Sequence, residues 1–333
     1  MGFDEIAGNS RVKSILRRAL RRDRVPHALL FAGPPGSGKR RTALALAQAL
    51  NCVDGTEEPC GVCDSCRAVA GGRHPDVLEI VLEKRKSSED LKTELSIDQF
   101  RDFKRLAYLK PMWGRQRVFL WKADLMSDDA RHSILKVVEE PPASTTLVLL
   151  SENPDLVLPT IKSRCQTLVF GPIAVEEIEE ALRRRGLTAE RARAIAFLVR
   201  GDLDRALEEN WDKAEERRTE AWEAFRGLVI GGREAEFLRR YAGLRRKDVK
   251  DDLEERLGFF RAFSRDVVLL QEGGEPERLL NPDLEDGLRE LAAKLDPGGG
   301  LRLAAAVGQA LAGLERHLNT GLLASALTAR MTG

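Results

Sequence analysis

A chain of 333 residues is longer than one compact domain usually runs, so two or three domains are expected. With 43% hydrophobic and 32% charged residues the composition is that of an ordinary globular protein, and a net charge of +1 excludes a global field that would draw the chain onto nucleic acid. No apolar run approaches the roughly 20 residues that span a bilayer, the first residues lack the apolar core of a secretory signal, and Ile6 stands where a myristoylation pattern needs Ser or Thr, so a cytosolic protein is expected.

Short apolar runs alternate with helical patterns through the first half. Residues 27–32 (HALLFA) read as a strand and 39–51 as an Ala/Leu-rich helix. A second strand is expected at 76–82 (DVLEIVL), then an amphipathic helix at 96–109 capped by Ser96. Residues 117–121 (RVFLW) form a third strand, and 127–140 one helix, capped by Ser127 and stopped by Pro141 and Pro142. The fourth and fifth strands fall at 145–150 (TTLVLL) and 167–170 (TLVF). Nearly continuous apolar strands between helices imply a five-stranded parallel sheet covered on both faces. After Pro172 the strand signals stop. Three short helices, 175–185, 189–199 and 203–209, would form a small bundle closing near Asn210. From Asp212 onward the pattern is helical, with breaks at 231–232, 273–274, 281–283 and 297–300. The polar stretch 83–94 reads as a flexible loop.

The chemistry begins at Gly33-Pro34-Pro35-Gly36-Ser37-Gly38-Lys39, which follows a strand and opens a helix. That is the context of a phosphate loop. Gly33, Gly36 and Gly38 let backbone N–H groups converge on phosphate, and Lys39 would reach its outer oxygens. The next position normally carries a hydroxyl that holds Mg²⁺; here it is Arg40, which ligates no cation. The strand at 117–121 should end in acids that hold the metal and orient water, but it runs into Trp121, Lys122, Ala123 and Asp124. Asp124 lies past the strand end and reads as a loop or capping carboxylate. Two metal-handling positions are altered together, which argues against hydrolysis. Whether Lys39 still holds ATP stays open.

Five cysteines are present, and four cluster: Cys52, Cys60, Cys63 and Cys66. In a reducing cytosol this spacing suggests a closed tetrahedral zinc site of structural type, with free thiols or an iron–sulfur cluster as the alternatives. Cys165 stands apart and reads as a small buried side chain. Arg164, in the triplet Ser163-Arg164-Cys165, is either a surface arginine or one presented at a subunit edge to a neighbour's γ-phosphate. Arg101, Lys104, Arg105, Lys110 and Arg115, on and after the helix at 96–109, are either a solvated face or a set of DNA-phosphate contacts.

The loop Gly33–Lys39, the cysteines 52–66, His74-Pro75-Asp76, Glu139-Glu140-Pro141-Pro142 and Ser163-Arg164-Cys165 together resemble the clamp-loader subunits of bacterial DNA polymerase III, which are of the AAA+ class. Arg40 and Trp121-Lys122 point to the delta-prime branch rather than the ATP-hydrolysing gamma/tau branch, and so does a length without a long C-terminal extension. The resemblance covers residues 1–210 through specific motifs, and the last third only through being helical. It implies an AAA+ core at 1–171 with a zinc insertion at 52–66, a helical lid at 172–210 and an oligomerising collar at 211–333. It further implies that Arg164 acts as an arginine finger in trans on ATP held by an adjacent gamma/tau subunit. Arg205, in Gly201-Asp202-Leu203-Asp204-Arg205, would be the vestige of a nucleotide-sensing arginine, and Glu152, in Ser151-Glu152-Asn153, is a poor γ-phosphate contact. The implied partners are gamma/tau and delta subunits, the sliding clamp and primer-template DNA. Two rival readings are an active ATPase using Thr42 or a water with Asp124, and a zinc-dependent DNA-binding module that uses the P-loop fold as a frame.

Overall fold

The computed structural model describes residues 2–55, 57–83, 94–199, 201–208, 211–241, 247–316 and 318–331. The stretch 83–94, expected as a loop, lies outside the described residues except for its ends, and so does Asn210, expected to close the small bundle. Contacts divide the chain into two compact units, Met1–Glu177 with Gly201–Asp204, and Ile178–Arg200 with Arg205–Gly333.

The first unit contains α1 (Ser10–Arg21), β1 (Ala28–Ala32), α2 (Lys39–Asn51), α3 (Asp64–Ala70), β2 (Val77–Ile80) and α4 (Ile97–Ala107). It continues through β3 (Arg117–Lys122), α5 (Asp128–Ser133), α6 (Leu135–Glu139), β4 (Thr145–Ser151), α7 (Pro159–Lys162) and β5 (Gln166–Val169). The sheet order is β2-β3-β4-β1-β5, with every neighbouring pair parallel. Strand side chains alternate between two cores, as a two-residue period requires. Leu30, Phe119, Trp121, Leu147 and Leu149 pack with Phe100, Phe103 and Ile134 on one face. Leu29, Phe31, Val118, Leu120, Val148 and Leu150 pack with Val12, Leu16 and Leu46 on the other. Both faces are covered, which is why these strands carry almost no polar residues.

All five expected strands are present. The single helix expected over 127–140 is two helices, interrupted at Ile134. At the interruption the Ile134 N–H turns to the His132 carbonyl, and the Ser133 hydroxyl donates to the Ala130 carbonyl at 2.9 Å. Helices α1, α3 and α7 add to the expected elements. Cys165 is half-buried rather than buried, against the α4 side of the sheet, and burial pushes its thiol up to about 11.

One buried ion pair ties the pieces of this unit together. Asp76, at 0% exposure, accepts the N–H groups of Met112, Trp113 and Gly114 at 2.8, 2.7 and 2.8 Å and the Arg117 guanidinium at 2.9 Å. Arg117, 2% exposed, also donates to the carbonyls of Leu106 and Lys110. His74 bridges Ser65 of α3 and the Asp76 N–H, each at 3.1 Å, and its ring stacks on Trp113 with 5.2 Å between centroids. The turn between α4 and β3, the start of β2 and the helix that ends the cysteine segment are thereby fastened at one point.

The second unit holds most of α8 (Val175–Arg183) and of α10 (Leu203–Glu208), both of which begin in the first unit, with α9 (Ala189–Leu198), α11 (Trp211–Ile230) and α12 (Glu234–Tyr241). Then come α13 (Lys247–Gln271), α14 (Glu285–Lys294), α15 (Gly299–Glu315) and α16 (Thr320–Met331). Trp222, Phe225, Phe237, Phe260 and Phe263 form its aromatic centre. Buried Asp266 on α13 accepts the N–H groups of Leu280 and Asn281, pinning the connection to α14. Arg261 stacks on Phe197 of α9 at 5.0 Å and donates to its carbonyl. The glycine pair 231–232 separates α11 from α12, both residues at positive φ (96 and 106°), as the pattern predicts. The break expected at 297–300 ends earlier. Gly299 and Gly300 are the first turn of α15, and Gly300 is there because a Cβ would lie 2.8 Å from Gln271 Oε1 and 3.2 Å from Val268.

Burial disfavours charge on Asp76, but its backbone donors and Arg117 outweigh that and hold its carboxyl below the ordinary 3.8. A depressed carboxyl contributes stability above its unfolded value and loses it as pH falls through the folded one. Asp76→Asn is therefore expected to cost about 3–5 kcal/mol at neutral pH, because it leaves Arg117 buried without a counter-charge. In urea titrations the gap from the parent chain should narrow below pH 3.8; a gap constant through that range would remove the carboxylate as its source.

Candidate functional site

The phosphate loop stands where the sequence puts it, between β1 and α2. Its glycines are required by close approach. A Cβ at Gly33 would sit 2.3 Å from the Phe170 carbonyl oxygen. Gly36 has φ +61°, and a Cβ there would meet Asp202 Oδ1 at 1.7 Å. Gly38 caps α2 at φ 83°. Asn9 stitches the loop to the sheet, donating to the carbonyls of Ser37 and Gly171 at 2.9 and 3.2 Å and accepting the Gly171 N–H.

The loop is folded onto the chain's own groups. The Lys39 ammonium, 7% exposed as a residue, donates to the carbonyls of Gly33 and Pro34 at 2.7 and 2.6 Å and to Ser37 Oγ at 3.3 Å. Burial lowers its pKa from the ordinary 10.5. The Leu203 N–H donates to the Gly36 carbonyl at 3.1 Å, which brings the Asp202 carboxylate against the loop. Asp204 secures the same segment through a 2.8 Å ion pair with Arg41. The Asp202 carboxylate thus packs directly against the backbone of Gly36.

At the altered metal-handling positions each replacement cation has found an internal acid. Arg40 grips Glu79 of β2 through two bonds of 2.6 Å. Lys122 pairs with Glu152 at 3.1 Å. Trp121 is buried in the sheet core, its indole N–H on Met126 Sδ at 3.2 Å. Asp124 accepts the Ser151 hydroxyl at 2.6 Å and the Glu152 N–H at 2.5 Å, which makes it the cap of the turn after β4. Thr42, the alternative hydroxyl, is buried on α2. Glu79 and Asp202 were not singled out from the sequence. Glu79 had a signal, as the one acid between aliphatic neighbours in VLEI; Asp202 had none, because its role exists only once the segment meets Gly36.

Cys52, Cys60, Cys63 and Cys66 converge, with all four sulfurs within 4.8 Å of one another. The N–H groups of Cys60, Cys63 and Cys66 point at the sulfurs of Cys52, Cys60 and Cys63, at 3.4, 3.3 and 3.4 Å. Gly61, at φ +73°, permits the turn between them. Backbone donors aimed at sulfur stabilise thiolate, and four sulfurs at this spacing fit one tetrahedral metal ion. Burial raises the Cys66 thiol; on Cys63 burial is outweighed by donors from Val53 and Cys66, and the thiol falls to about 6.

Arg164 follows α7 and is half-exposed, paired with Glu139 at 2.8 Å and donating to the Thr160 carbonyl at 2.9 Å. Arg205 pairs with Glu255 at 3.7 Å inside the helical unit. Arg101 and Arg105 lie on the outer face of α4 in pairs with Asp98 and Asp102, with Lys104 half-buried between them. Lys110 is exposed, while Arg115 donates to the Cys52 carbonyl at 2.9 Å. Among the described residues no helix is long and apolar enough to cross a membrane.

Comparison with known proteins gives this arrangement a family. The family model described as DNA polymerase III, delta subunit, matches residues 8–174. DNA polymerase III subunit delta' of Bacillus subtilis is 30% identical over 286 residues, covering 85% of this chain and 83% of that one. DNA polymerase III subunit gamma/tau of Mycobacterium bovis is 37% identical over 170 residues, 50% of this chain and 28% of that protein. Subunit tau of Escherichia coli K12 is 34% identical over 213 residues, 62% and 32% respectively. The α/β unit has the P-loop AAA+ fold, and the chain belongs to the delta-prime family of DNA polymerase III subunits.

Proposed function

We propose that this chain is a non-hydrolysing subunit of the DNA replication clamp loader. It would assemble with gamma/tau and delta subunits and help load the sliding clamp onto primer-template DNA. The observation that carries the reading is the pair of ion pairs at the metal-handling positions, Arg40–Glu79 and Lys122–Glu152. A Mg²⁺ ion needs oxygen ligands there and would meet two cations instead. The Asp202 carboxylate against Gly36 supports the same reading, since it brings a negative charge beside a loop that would have to receive phosphate.

In this reading the catalytic contribution is made through Arg164. A guanidinium already engaged with a carboxylate at 2.8 Å can exchange Glu139 for a γ-phosphate oxygen of ATP on a neighbouring gamma/tau subunit. The helical unit from 211 onward would serve as the oligomerising collar, and the helices between 172 and 210 as the lid. Zinc is the metal that four thiolates fit best; it would hold the 52–66 insertion, which brings little apolar core of its own. The basic residues Arg101, Lys104, Arg105, Lys110 and Arg115 are the candidates for template phosphates, with Arg101 and Arg105 the weaker ones because each already has an acidic partner.

Three outcomes are expected. Purified chain with ATP and Mg²⁺ gives no turnover; turnover that disappears in Lys39→Ala would establish the active-ATPase alternative. Assembled with otherwise normal subunits, Arg164→Ala lowers clamp- and DNA-stimulated ATPase at least about tenfold, and an unchanged rate removes the role in trans. Cobalt titrated into the stripped chain gives thiolate charge-transfer absorption saturating at one ion, lost in Cys63→Ser, and chelation opens the insertion to protease. Saturation without thiolate bands would mean that the cysteines are not the ligands.

A further inference from the structure

Helix α1 carries more charge than its packing explains. From Arg11 to Arg24 there are seven basic residues and one acid, Asp23. Some are internally committed: Arg17 to Asp4 and Glu58, Arg21 to Glu57, and Lys13 to the Ile6 carbonyl. Arg18, Arg22 and Arg24 are exposed and rim a groove of about 220 Å³. The floor between them is aliphatic, built by Ile15, Ala19 and Leu168, and no acidic side chain lines it.

This groove lies between α1 and the β1–β5 end of the sheet. β5 pairs with β1 and, among the described residues, with no strand on its other side. Gln166 and Leu168 face α1, while Val169, on the opposite face, is 72% exposed. An outer strand presents unpaired N–H and C=O groups, which an extended peptide can complete.

We propose that this edge is a docking site for an extended acidic segment of a partner protein, which adds to β5 as a sixth strand. Alternate aliphatic side chains of the segment sit on the floor of the groove. At the rim of the groove, carboxylates flanking that aliphatic run meet Arg18, Arg22 and Arg24, whose planar forks match them. A nucleic acid would match the charge but make no use of the aliphatic floor, which offers no ring for a base to stack on. The proposal is independent of how the phosphate loop is read.

The test is fluorescence anisotropy of the full chain with a labelled peptide whose core alternates valine and serine and whose ends carry glutamates. Beside it run the same peptide N-methylated at alternate amides, polyglutamate, a lysine–valine peptide and oligothymidylate. The acidic–aliphatic peptide is expected to bind at least about tenfold tighter than each of the others, and Arg22→Glu with Arg24→Glu to lower its affinity at least about tenfold. Both arginines are exposed, and an unchanged urea midpoint of the double variant excludes misfolding; Arg22→Gln should give a smaller loss in the same direction. Tighter binding of oligothymidylate would make the edge a polyanion surface and overturn the proposal. Equal binding of the N-methylated peptide would exclude strand addition, and absence of saturation at millimolar peptide would discard the site.

Discussion

A carboxylate without solvent contact organises the α/β unit. Asp76 stands at the head of β2 and is satisfied by three consecutive backbone N–H groups and one guanidinium. An acid at 0% exposure is tolerable only when every lone pair is used, so the turn from Met112 to Gly114 has little choice of shape. That turn sets where β3 begins, and β3 delivers Trp121 and Lys122 to the end of the sheet near the phosphate loop. His74 extends the same network to Ser65 and hence to the helix that ends the cysteine cluster. Two sites far apart in sequence are positioned from one anchor.

The surroundings of the loop follow a consistent electrostatic logic. Replacing a Mg²⁺-binding hydroxyl by Arg40 adds a positive charge, and a lone acid on β2, Glu79, neutralises it. Lys122, at the usual place of an acid, is met by Glu152 in the turn after β4. Asp124, past the strand end, caps that same turn, as its position in the sequence suggests. Lys39 is left to the carbonyls of its own loop. The loop keeps its place between β1 and α2, while its charges are satisfied from within the chain.

The helical unit repeats the device of the first. Buried Asp266 on α13 gathers the N–H groups of Leu280 and Asn281, just as Asp76 gathers those of its turn. In both units a connection that could wander is fixed by an acid at the price of desolvating it. The aromatic core around Phe225, Phe260 and Phe263 supplies the apolar centre of the same unit.

What the sequence alone determined is what local pattern encodes. The alternation of apolar runs with helical periods yields five parallel strands between helices, because a strand buried on both faces has no room for polar residues. Glycine spacing after a strand marks the phosphate loop, and cysteine spacing marks a cluster that closes on one point. Arg40 and Lys122 are legible as substitutions because their neighbours in sequence define what belongs there. The tertiary structure decided the pairings. No local signal joins Arg40 to Glu79, Asp202 to Gly36 or Arg164 to Glu139, since each pair is separated by dozens of residues or more and meets only when strands and loops converge. The helix at 127–140 likewise reads as continuous, because its apolar spacing is continuous; the interruption at Ile134 leaves no mark in that spacing. Spacing along the chain sets which groups are available, and competition for buried partners sets which of them meet.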